Sequence, residues 1–213
     1  MAGDGAEAGS GLERIILFSD AVIAIAITLL VLDIRLPALP EHADNAALVA
    51  ALAAVAPKIE AYVISFLVVG QFWVAHYLRF RFIRRLDAGL IWLNLLFLMA
   101  IGFVPFASAV ISEHGVAAAY VLYDGTMAVV ALLSAASWGY AIIGSRLVDP
   151  ELAPAIRRRS LVAPLTVAAV FILSGLLAQA DVRAGRWAGL LMVPAAIGRP
   201  GSWRSGRAPR SQS

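Results

Sequence analysis

The feature that most constrains this chain is its first long apolar segment, residues 14–34, which carries a carboxylate, Asp20, in its first third. A helix of roughly 20 apolar residues is long enough to cross a bilayer core about 30 Å thick. An ionised carboxylate that faces lipid costs a few kcal/mol at least. Asp20 must therefore face protein or water, and it indicates the part of the chain where function resides.

The rest of the chain repeats this apolar pattern. The chain is 61% hydrophobic and 15% charged, with a mean hydropathy of +0.84. This apolar content is higher than that of a typical soluble domain. Five full-length candidate spans and a short one follow from the sequence: 14–34, 57–78, 88–111, 116–144, 161–180 and 186–198. We predict an all-α integral membrane protein with six transmembrane helices in one domain, residues 12–198. The Gly/Ala-rich residues 1–11 and the Arg/Ser/Gly-rich residues 199–213 are predicted to be disordered.

The basic residues predict how these spans are oriented. With six spans, 13 of the 17 basic residues lie on one side, and the four on the other side are Arg35, Lys58, Arg183 and Arg186. Cytoplasmic loops carry such an excess of Arg and Lys. We therefore expect a multi-pass protein of the cell (inner or plasma) membrane with both termini in the cytoplasm. Arginines that flank spans contact lipid headgroups, so nucleic acid is not expected as a partner.

Apolar residues recur in the first span at the spacing of a heptad. We call Phe18, Val22, Ile25, Leu29 and Leu32 the seam; they are separated by 4, 3, 4 and 3 residues. This spacing lets copies of one helix pack around a common axis, but it also suits packing against another helix of the same subunit. Periodicity alone favours the second interpretation. At about 100° per residue, Asp20 points away from the outer part of the seam.

Polar residues of the first three spans are predicted to lie at the same depth, in the cytoplasmic third. They are Arg14, Ser19 and Asp20 in the first span, Trp73 and His76 in the second, and Asn94 in the third. Buried polar groups in a membrane must find partners on other helices. We expect Asp20 to accept a hydrogen bond from Ser19, His76 or Asn94. The network either locks the helices together or also moves during gating.

Other polar residues give weaker signals. Asp124 is expected near the outer interface, in reach of water, and Thr28 is expected to bond the carbonyl four residues earlier. The sequence has no cysteine, no HExxH motif, no Gly-rich phosphate loop and no Ser–His–Asp order. We therefore expect neither an enzyme nor a bound cofactor or metal.

The first span, read in full, resembles a known family. The string R-x-x-x-F-S-D at Arg14, Phe18, Ser19 and Asp20, continuing through AVIAIAITLLVLDIRLP, is similar to the signature of the transmembrane protein 175 family of potassium channels. Residues 62–80 and 90–106 resemble that family's second helix, with its Trp and His, and its third helix, with its Asn and Pro-Phe pair. The resemblance covers residues 12–110 closely and 116–180 loosely; the short sixth span and the tail depart from it.

The resemblance implies a homotetramer of six-helix subunits in which the first helix lines a central pore. It implies that Ile25 forms the constriction and that Leu29 and Leu32 form the next rings outward, with Thr28 near the pore. It places Arg14, Phe18, Ser19, Asp20, Trp73, His76 and Asn94 in a structural network around the FSD motif. The resemblance therefore favours the first interpretation of the seam, in which copies of the first helix pack around a common axis.

The function expected from these features is a potassium-preferring cation channel with a hydrophobic constriction and no carbonyl selectivity filter. Its partners are then further copies of itself, membrane lipids and potassium ions. Two alternatives stay open: a proton-coupled secondary transporter that uses Asp20 and His76 as a relay, and a non-conducting membrane assembly protein.

Overall fold

Five long apolar helices form the part of the subunit that the structure describes. The computed structural model describes residues 3–184; the predicted sixth span, 186–198, and the tail, 199–213, lie outside the described residues. The helices are α1 (Gly3–Leu29), which continues as a 3-10 turn (Leu30–Asp33), α2 (Asn45–Ala54), α3 (Ala56–Phe80), α4 (Ala88–Glu113), α5 (Ala117–Ile142), followed by a 3-10 turn (Ile143–Ser145), and α6 (Pro154–Ala180). All except α2 are long and apolar enough to cross a membrane, which confirms the predicted helical membrane class.

Two helix starts differ from the sequence-based expectation. α1 begins at Gly3, before residue 12, where the membrane domain was predicted to begin; alanine and glutamate in this segment are strong helix formers. That residues 1–11 are disordered stays a prediction. α6 begins at Pro154 rather than at residue 161, because proline suits the first turn of a helix. Arg157 then folds back toward the preceding loop, where its guanidinium donates to the carbonyls of Asp149 and Pro150 at 3.1 and 2.8 Å.

Side-chain caps define the starts of two other helices. The Asp44 carboxylate accepts a 2.7 Å hydrogen bond from the Ala47 backbone N–H at the start of α2, and Asp87 accepts one of 2.9 Å from Leu90 at the start of α4. A cap satisfies one of the backbone donors that a helix start leaves unpaired.

The helices of the subunit pack in pairs around a shared core; some pairs are consecutive in the sequence and others are not. α5 lies against both α4 and α6, whereas α1 lies against α4 and α3. Ile101, Val104, Met127 and Val130 are fully enclosed between α4 and α5, and Ile23 joins them from α1. This packing uses one face of α1 and leaves the other face without a helix on it in the part of the chain that the structure describes.

Candidate functional site

α1 has two faces of opposite character. Its buried face consists of Ser19, Ile23, Ala26 and Leu30, each less than 5% exposed. The seam lies on the other face: Phe18, Ile25, Leu29 and Leu32 are 51%, 59%, 44% and 60% exposed. Only Val22, at the edge, packs against the core. No helix within residues 11–184 covers this apolar face, so it is available for packing outside the subunit.

Asp20 is held by a tryptophan on the neighbouring helix. Trp73 Nε1 on α3 donates a 2.8 Å hydrogen bond to Asp20 Oδ1. The sequence had indicated Ser19, His76 or Asn94 as the donor, and this was wrong, because those three side chains bond to one another. The sequence predicted that these side chains lie at the same depth in the membrane. The direction in which each side chain points from its helix decides which of them form hydrogen bonds.

A buried chain of three polar side chains joins α1, α4 and α3. Asn94 Nδ2 donates to Ser19 Oγ at 3.0 Å, and Asn94 Oδ1 lies 2.9 Å from His76 Nε2, which donates in this arrangement. Ser19 in turn donates to the Ile15 carbonyl at 2.8 Å. The His76 ring stacks between Phe80 and Phe97, with centroids at 4.1 and 5.3 Å. Among the described residues no fully enclosed side-chain nitrogen or oxygen lacks a hydrogen bond, and these bonds join the three helices to one another.

The FSD-motif network therefore divides into two parts within the described residues: Asp20 with Trp73, and Ser19 with Asn94 and His76. Arg14 belongs to neither, since it is exposed and the structure describes no hydrogen bond or ion pair for it within residues 11–184. Thr28 is also exposed and donates to the Ile25 carbonyl at 2.8 Å. It back-bonds as expected, but to the carbonyl three residues earlier rather than four.

An ion cluster at the far end of α1 escaped the sequence analysis. Lys58 Nζ on α3 lies 2.9 Å from Glu113 Oε1 on α4 and 3.6 Å from Asp33 Oδ1, just after α1. Ser112 donates to the other Asp33 oxygen at 2.9 Å. This cluster ties the seam end of α1 to α3 and α4. The spacing of these residues in the sequence did not predict a cluster, because they come from three different segments.

Two buried polar residues were also missed. Arg79 was counted among the 13 basic residues on one side of the membrane; in the structure it is 6% exposed and donates to the Ser134 carbonyl and hydroxyl on α5 at 3.0 and 2.6 Å. Asp124 was expected to reach water near the interface, but it is 3% exposed and accepts from Ser174 on α6 at 2.7 Å. Both side chains turn into the helix bundle, where another helix supplies their partners.

Comparison with known proteins finds a family and relatives of similar sequence. The model of the family described as endosomal/lysosomal potassium channel TMEM175 matches residues 14–105. A protein of Streptomyces collinus named as a potassium channel is 39% identical over 197 residues, which is 85% of this chain and 93% of that protein. One of Chamaesiphon minutus, also named as a potassium channel, is 35% identical over 140 residues, covering 63% of this chain and 68% of the relative.

The fold has a counterpart among solved structures. The crystal structure of a lysosomal potassium-selective channel TMEM175 homolog from Chamaesiphon minutus superimposes with a TM-score of 0.75 at 28% identity. The match covers 88% of this chain and 97% of that chain. The matched family region, residues 14–105, contains α1 from Arg14 onward, both parts of the FSD-motif network and the seam.

Proposed function

Because this chain belongs to the TMEM175 family of ion channels and is not an enzyme, we propose that it is a potassium-preferring cation channel with α1 at the axis of a homotetramer. The observation that carries this proposal is the seam. Ile25, Leu29 and Leu32 present an apolar stripe that no described helix of the subunit covers, at the spacing by which copies of one helix pack around an axis.

The polar network supports the same arrangement. Ser19 and Asp20 are neighbours in the chain, so they point about 100° apart around α1. Asn94 holds the first and Trp73 holds the second. Two such contacts fix the rotation of α1 and direct Ile25 away from its own subunit. The ion cluster of Lys58, Asp33 and Glu113 holds the other end of the helix.

In this proposal a ring of four Ile25 side chains is the constriction, with rings of Leu29 and Leu32 further out and Thr28 at the flank. Apolar rings of this kind gate by excluding water. An ion that passes must shed part of its hydration shell. Potassium holds its water less tightly than sodium, so the ring favours potassium without a filter of backbone carbonyls.

The loops support a proposed orientation of the subunit in the membrane. The loop after α3 contacts the loop after α5, where Arg84 N donates to the Leu147 carbonyl at 2.7 Å. These arginine-rich loops lie at the same end as the start of α1. Under the positive-inside rule this end faces the cytoplasm, which puts the N-terminus there and brings the arginines to the lipid headgroups. With the predicted sixth span, the C-terminus returns to the same side.

The transporter alternative finds less support in the geometry. A proton relay between Asp20 and His76 needs a continuous chain of groups that both donate and accept. Asp20 instead accepts from the Trp73 indole N–H, which only donates. His76 bonds to Asn94, in the other part of the network.

Ion flux through the purified protein in liposomes tests the proposal. A channel gives current that is close to linear with voltage and does not saturate as potassium rises, with less current when sodium replaces potassium. Saturable, proton-coupled flux would support the transporter. An intact tetramer without any flux would support the assembly protein.

A further inference from the structure

A cavity of about 300 Å³ opens among α3, α4, α5 and α6, at the end of the subunit opposite the arginine-rich loops. Its size and mixed lining are typical of small-molecule sites. Among the described residues, six polar side chains line the wall: Glu60, Ser112, Tyr120, Tyr123, Asp124 and Ser174. None of these groups belongs to the seam or to the FSD-motif network, so the proposed conduction mechanism leaves the cavity unused.

Asp124 is the polar group of the wall with the clearest unused capacity to accept a hydrogen bond. The residue is 3% exposed, and the one hydrogen bond that the structure describes for its side chain is the 2.7 Å bond from Ser174 Oγ to Oδ2. Among the described residues, no wholly enclosed side-chain oxygen or nitrogen lacks a hydrogen bond. Oδ1, for which no donor is described, is therefore open to the cavity.

The wall of the cavity includes one buried carboxylate, Asp124, and none of the described lining residues is Lys, Arg or His. The nearby cation, Lys58, is engaged by Asp33 and Glu113. A buried carboxylate with a hydroxyl as its described partner is poorly compensated. A cationic ligand supplies both the missing charge and the missing hydrogen-bond donor.

The remaining wall is apolar and aromatic, with Ile64, Val68 and Phe171 against the tyrosines. Such a wall suits the carbon skeleton of a ligand, and aromatic faces attract cations. We propose that the cavity binds a small amphipathic organic cation, a primary amine on an apolar body, whose ammonium group donates to Asp124 Oδ1. The bond is charge-assisted, which makes it about twice as strong as a neutral one.

The site also has a mechanical link to α1. Ser112 lines the cavity and donates to Asp33 Oδ2 at the seam end of α1. A ligand in the cavity therefore contacts the side chain that holds this end of the helix. Binding itself takes place within one subunit and needs no ion flux, so it can be tested whether or not the protein conducts.

Isothermal titration of the full-length protein in detergent tests the proposal, with 2-phenylethylamine as the probe and 2-phenylethanol as its neutral analogue. We expect one saturable amine site per subunit and at least tenfold weaker binding of the alcohol. Asp124→Asn should weaken the amine at least tenfold and leave the alcohol unchanged. Glu41→Gln removes a carboxylate from the exposed loop before α2, outside the cavity, and should change neither.

A second variant covers the case in which Asp124→Asn does not fold. Ala61→Phe fills the cavity from α3 without touching the carboxylate, and it should abolish binding of the amine. Equal affinity of the unsubstituted protein for amine and alcohol would overturn the proposal, as would amine binding that survives both substitutions. A cavity suited to a lipid chain gives the first result, because an acyl chain needs neither the charge nor Asp124.

Discussion

Trp73 Nε1 on α3 lies 2.8 Å from Asp20 Oδ1 on α1. Asp20 and the exposed seam lie on opposite sides of α1. A polar anchor on one side of α1 and apolar residues on the other give the helix a defined rotation. In a membrane such an anchor is effective, because a lipid-facing carboxylate has no other donor available.

The first prediction concerns this bond. Asp20→Asn and Trp73→Phe should each lower the thermal stability of the assembled protein, by about 1–2 kcal/mol. The double variant should be little worse than either single one, because both substitutions remove the same interaction. Melting in detergent, followed by size-exclusion chromatography, measures both stability and assembly. We expect assembly to suffer more than permeation, so normal assembly of Asp20→Asn with altered conductance alone would contradict this role.

The second prediction places α1 at the axis of the assembly. The chain has no cysteine, so Leu32→Cys introduces a single thiol on the seam. Copies around a common axis bring these thiols together, and mild oxidation should give inter-subunit dimers on a denaturing gel. Leu176→Cys is the matched control, since Leu176 on α6 is 62% exposed, close to the 60% of Leu32. Equal crosslinking of the two variants, or none at Leu32 in folded protein, would remove α1 from the axis.

The third prediction concerns the constriction. Ile25→Asn places an amide in each position of the ring, and amides hydrogen-bond water or replace part of an ion's hydration shell. Flux in liposomes should rise several-fold, and discrimination between potassium and sodium should fall. Leu29→Asn should act in the same direction but more weakly if its ring is wider.

A residue that only packs between helices behaves differently from a gate residue. A buried amide without partners costs stability and lowers the yield of protein, without any gain of flux. Comparison at matched protein levels separates the two cases. Unchanged flux and selectivity in a well-folded Ile25→Asn tetramer would exclude Ile25 as the gate.

The fourth prediction concerns acid stability at the end of the bundle that carries the arginine-rich loops. The Leu90 backbone N–H, the Tyr140 hydroxyl and Arg146 together hold the pKa of Asp87 below its ordinary value of 3.8. A lowered pKa in the folded state means that the ionised carboxylate stabilises the fold above pH 3.8, and that this contribution is lost as the pH falls through the folded value. The wild-type protein should therefore lose thermal stability below about pH 4.

Asp87→Asn should be less stable than the wild type at pH 6, and the difference should shrink as the pH falls toward 3. Tyr140→Phe is the matched control: it keeps the carboxylate and its Leu90 bond, the largest cause of the shift. This variant should keep most of the pH dependence. A stability difference between Asp87→Asn and wild type that stays constant over the same pH range would contradict the prediction.

The sequence by itself determined the class of protein, the five full-length spans and the family. Apolar length reports membrane spans directly, because the bilayer sets how many residues a helix needs. The spacing of Phe18, Ile25 and Leu32 also marked the face of α1 that turned out to be exposed, since helical periodicity converts spacing into direction.

Only the tertiary structure decided which polar groups meet. Asp20 and Ser19 are adjacent in the chain, yet one bonds to Trp73 and the other to Asn94, because a difference of one residue turns a side chain to another neighbouring helix. For the same reason Asp124 was expected to reach water and lies buried, and the sequence did not show that Arg79 is buried in the bundle. Depth along a helix can be counted from the sequence, but the rotation and packing of neighbouring helices depend on contacts between residues far apart in the chain.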